Sequence, residues 1–64
     1  MTALELFDLG QEHRRNRRFG EAVNAFNAVM EAADATPELI SRSQVSVDLI
    51  QEINGFVNTD LMNP

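Results

Sequence analysis

Between Leu39 and Val57 the apolar residues wrap roughly 220° of a helical wheel, where a simple surface helix needs about 100°. They are Leu39, Ile40, Val45, Val47, Leu49, Ile50, Ile53, Phe56 and Val57, against a polar strip of Gln44, Asp48, Gln51, Glu52 and Gly55. A helix with so wide an apolar face needs cover on two sides. The chain has only 64 residues, and at that size roughly 60% of the unfolded surface is buried, leaving stability marginal without a staple. Cysteine is absent and His13 is the single histidine, which removes a disulfide framework and a thiolate metal site. Oligomerisation or unusually good helix packing is what remains.

The preceding residues can cover one of those sides. Thr2 and Glu5 stand at capping-box spacing, a hydroxyl for an orphan N–H and a carboxylate reaching back, so a helix is expected from Ala3 to Asn16. Ala3, Leu6, Leu9, Gly10 and His13 make one stripe on it, with Leu4 and Phe7 as a second stripe to the side. Gly10 costs a helix interior roughly 1 kcal/mol relative to Ala, so a large side chain from the next helix is expected against its bare Cα. Phe19, Ala22, Val23, Phe26, Val29, Met30 and Ala33 form a continuous face, predicting a second helix from Phe19 to Ala33. Ala25, Ala28 and Ala32 on its back and flanks are small enough to let another helix approach closely. Thr36, Pro37 and Glu38 read as N-cap, first helical residue and first-turn acid of a third helix. Glu38 also precedes Arg42 by one turn, the favourable order for an ion pair. That helix is expected to run to Val57, with Asn54-Gly55 as a competing stop. Leu61 and Met62 in the tail are expected to fold back onto the body.

The hairpin residues Leu6, Leu9-Gly10, His13, Phe19, Ala22, Phe26 and Val29 resemble a tetratricopeptide repeat. Arg17 occupies the place where that family usually has Gly in the turn, so Asn16 is expected to supply any positive φ. The stretch from Leu49 to Pro64 resembles the closing helix and tail of small bacterial proteins of the same family. The resemblance implies an all-α fold in one domain: an antiparallel hairpin over residues 3–35, a third, capping helix over 37–57 and a tail over 58–64, arranged up-down-up. It also implies a scaffold or adaptor without enzymatic activity. A lone repeat cannot bury its own apolar face, since stacks of at least three are usual.

Charge separates the remaining function classes. Net charge is −5, lysine is absent, and four of the five basic residues fall in Arg14-Arg15-Asn16-Arg17-Arg18. Such a cluster could grip phosphates or carboxylates. An acidic chain with no Trp or Tyr to stack on bases disfavours nucleic acid. The cluster equally suits the dipole at the end of the first helix. In an up-down-up arrangement Glu52 and Asp60 would return to neutralise it. A lone His13 lacks a ligand set and is expected to pack beside Leu9; Asp8 and Glu12 read as ordinary surface carboxylates. No catalytic residue, metal or cofactor is expected. No apolar run reaches the 18 or so residues of a membrane span, and the start Met1-Thr2-Ala3-Leu4-Glu5 lacks the form of a signal peptide. The expected location is cytoplasmic.

The function read from the sequence is protein–protein interaction or assembly, completed by homo-oligomerisation. The candidate contact residues are Leu4, Phe7, Gln11, Arg14 and Arg15 on the first helix, and Val45, Leu49, Ile53 and Phe56 on the third. The alternative is a monomeric adaptor that receives a segment of another protein on the Leu4/Phe7/Arg14 flank.

Overall fold

The structure, a computed structural model, describes residues 1–54. Three helices follow in order: α1 (Ala3–Arg15), α2 (Phe19–Glu31) and α3 (Pro37–Asn54). The fold is all-α, a helical hairpin of α1 and α2 with α3 packed on it. The second helix is the central element. Both others pack on it, while α1 and α3 meet only lightly. Expectations for Gly55, Phe56, Val57 and the tail lie outside the described residues.

Local chemistry accounts for the starts of α1 and α3. Thr2 Oγ1 accepts the Glu5 N–H at 3.1 Å, and the Glu5 carboxylate accepts the Thr2 N–H at 2.8 Å, completing the capping box. Thr36 Oγ1 accepts the Leu39 N–H at 3.2 Å at the start of α3. One turn further on, Arg42 pairs with Glu38 at 3.2 Å. A link across the fold adds to these: both Asp34 carboxylate oxygens accept the Ala3 N–H, at 3.2 and 3.1 Å. The loop after α2 thereby satisfies a donor at the start of α1, which a local reading of the sequence cannot anticipate.

The turn between α1 and α2 corrects one expectation. Asn16 has φ −94°, and the positive φ, 61°, belongs to Arg17. The Arg18 N–H donates to the His13 carbonyl at 2.8 Å and the Arg17 N–H to that of Arg14 at 3.0 Å. These paired bonds define a Schellman motif, whose left-handed position falls one residue after the C-cap. That position is Arg17, which takes the left-handed conformation without being a glycine. The second helix stops at Glu31, two residues before the expected Ala33, because Ala32 is already extended (φ −73°, ψ 139°).

The core joins Ala3 and Phe7 of α1, Ala22, Val23, Phe26 and Val29 of α2, and Val47 and Ile50 of α3. Phe26 is fully buried. A Cβ built on Gly10 would stand 2.8 Å from its ring, so the ring lies on the bare Cα as the sequence predicted. Phe7 meets Phe26 edge-on, with ring centroids 5.6 Å apart. Of the small residues on the back and flanks of α2, Ala25 is buried and Ala28 and Ala32 are half-buried.

On α3 the inward face is less apolar than expected. Ser43 and Ser46 are buried beside Val47 and Ile50, and the Ser43 hydroxyl has no hydrogen-bond partner among the described residues. Two small serines among these positions displace the large apolar residues toward solvent.

Candidate interaction surface

Rotation of α3 decides which of its apolar residues stay wet. Leu39, Ser43, Ser46, Val47 and Ile50 recur at three- and four-residue steps and turn inward. Val45, Leu49 and Ile53 fall on a ridge of four-residue steps beside that face, and they are 54%, 42% and 78% exposed. Ile40, on the other side, is 37% exposed. Two helices cannot wrap a third whose apolar residues occupy so much of its circumference.

The α1 candidates divide. Leu4 is 57% exposed, but Phe7 is buried against Phe26. The expected Leu4/Phe7 stripe is therefore corrected: its aromatic member belongs to the core. The physical reason is the bare Cα of Gly10, which draws the Phe26 ring against this side of α1 and turns Phe7 onto it. Gln11 and Arg14 are half-buried and joined by a 3.3 Å hydrogen bond from the guanidinium to the amide oxygen. Arg15 is exposed and lies 3.9 Å from Glu12. Phe56 lies outside the described residues.

Light contact between α1 and α3 leaves a shallow groove of about 340 Å³. Phe7 and Gln11 form one wall, and Ser41, Arg42, Val45 and Ser46 the other. The groove brings together two of the α1 candidates and one of α3. Leu49, Ile53, Leu4, Arg14 and Arg15 are not among its lining residues. Ser41, Arg42 and Ser46 are the lining residues that the sequence reading left out of the site, and Arg42 is the charged one. The signal of Arg42 was present, since it is the only arginine outside the Arg14–Arg18 cluster.

Electrostatics around the surface are local. Glu5 is held below its ordinary value of 4.5, first by the Thr2 backbone N–H and then by the Thr2 hydroxyl. Among the described residues the ion pairs of Arg15 and Arg42 are both within one helix, and Glu52 does not pair with the arginine cluster. His13 is half-buried, with Nδ1 lacking a hydrogen-bond partner among the described residues. No three His, Cys, Asp or Glu side chains gather to hold a metal among the described residues. Among them, too, no helix is long and apolar enough to cross a membrane. Comparisons with protein-family models, curated proteins and solved structures give no match.

Proposed function

We propose that this chain is a non-enzymatic assembly module, a tetratricopeptide-like hairpin with a capping helix, completed by association with copies of itself. One observation carries the reading: Val45, Leu49, Ile53 and Leu4 are between 42% and 78% exposed in a single copy. Fully burying a side chain of this kind contributes about 1.5–3 kcal/mol. A chain with one small core gains more from covering such a face than a large domain would. Identical chains most often do so through a shared patch and a two-fold axis.

Sedimentation equilibrium from about 1 to 500 μM, a span that brackets ordinary dimer affinities, tests the reading. A dimer or small oligomer that dissociates on dilution is expected, and Leu49→Gln should weaken it. A monomer at every concentration rejects it.

The groove between α1 and α3 favours a second reading, in which it receives a segment of another protein. Gln11→Arg changes the α1 wall of the groove and leaves the ridge residues Val45, Leu49 and Ile53 unsubstituted. Loss of partner capture in that variant, with self-association unchanged, would support the adaptor.

A further inference from the structure

Self-association leaves open which way round two copies meet, and the charges on α3 answer it. Glu38, Arg42, Val45, Leu49 and Glu52 follow one another at steps of four, three, four and three residues. That alternation is the spacing of a coiled-coil seam. All five side chains are exposed. The seam lies roughly a third of a turn around the helix from the buried Ser43 and Ile50 and the half-buried Leu39, so a neighbour can reach it without disturbing the core. The Val45–Leu49 pair is flanked by opposite charges, Arg42 on its N-terminal side and Glu52 on its C-terminal side, with Glu38 one turn beyond Arg42.

We propose that two copies pair α3 against α3 in antiparallel fashion, Val45 of each facing Leu49 of the other and Arg42 of each facing Glu52 of the other. The proposal rests on the self-association reading and adds orientation and register to it. A two-fold axis between Val45 and Leu49 brings both apolar contacts and both ion pairs together at once, because the Arg42-to-Glu52 span is identical in the two copies. Parallel pairing would set Arg42 against Arg42 and Glu52 against Glu52, opposing like charges at both ends. It would also align the helix dipoles unfavourably. Arg42 already meets Glu38 at 3.2 Å with its side chain 63% exposed. Its five donors let it hold that carboxylate and take a second one from the facing helix.

Charge reversal and cross-linking test the arrangement. Arg42→Glu and Glu52→Arg are each expected to raise the dimer dissociation constant about tenfold or more at low salt. The double variant Arg42→Glu/Glu52→Arg should return to within about threefold of the unaltered chain, since only antiparallel facing restores opposite charges in both pairs. The chain has no cysteine of its own, so mild oxidation of a mixture of Val45→Cys and Leu49→Cys chains reports register independently. Cross-links between Val45→Cys and Leu49→Cys chains are expected. Predominant Val45→Cys or Leu49→Cys self-links, or single charge variants that dimerise as tightly as the original, overturn the antiparallel seam while leaving self-association standing. A wild-type chain that stays monomeric rejects the self-association reading itself, and the seam with it.

Discussion

Gly10 sits where the two demands on a helical residue oppose each other. Alanine there would favour the helix by about 1 kcal/mol. Its methyl group, however, would fall 2.8 Å from the Phe26 ring, which is fully buried with no open side to retreat into. Overpacking of this sort costs about 1–3 kcal/mol, so Gly10→Ala is expected to lose about 1 kcal/mol net, read from urea unfolding. Arg17 presents the reverse case. Its φ of 61° is a conformation that costs an L-residue about 1–2 kcal/mol and a glycine little. Arg17→Gly should therefore raise the stability of the chain by about 1 kcal/mol in the same assay, and an unchanged or lower midpoint would contradict the strain assigned to that turn.

At the scale of the helices, α1 is secured at its start by three groups from two parts of the chain: Thr2, Glu5 and Asp34. The Glu5 carboxylate has the clearest pH signature. Because the folded chain holds it below 4.5, its contribution is complete above that pH and disappears as the pH falls through the lower folded value. Glu5→Gln retains an acceptor for the Thr2 N–H but cannot titrate. The variant should lose less stability than the unaltered chain between about pH 5 and pH 2.5, measured by thermal melts across that range. Equal acid sensitivity in the two chains would show that the capping carboxylate has no part in it. The third helix obeys a different constraint. Its start is set by Thr36 and Pro37, while the small side chains of Ser43 and Ser46 are buried on its inward face.

For the whole molecule, the proposed self-association through the exposed apolar ridge would make folding and association parts of one equilibrium. Anything that binds only the folded state raises the melting temperature by mass action. The melting temperature of this chain should accordingly climb with its own concentration, by several degrees over a hundredfold range, and Leu49→Gln should flatten that dependence. Calorimetry at two or more concentrations checks it. A concentration-independent melt in both chains would mean that the ridge is left wet.

Helix starts, the hairpin and the Gly10–Phe26 contact were legible in the residues alone, because caps, periodicity and a costly glycine act over a few neighbouring positions. So was the excess of apolar surface on the third helix, which is a matter of counting around a wheel. Tertiary structure alone decided the remainder: that Phe7 belongs to the core, that two serines turn inward while Val45, Leu49 and Ile53 turn out, and that Asp34 caps a helix on the far side of the chain's first loop. Those outcomes depend on how closely two helix axes can approach, which the bulk of a distant partner's side chains decides, and no local pattern records that distance.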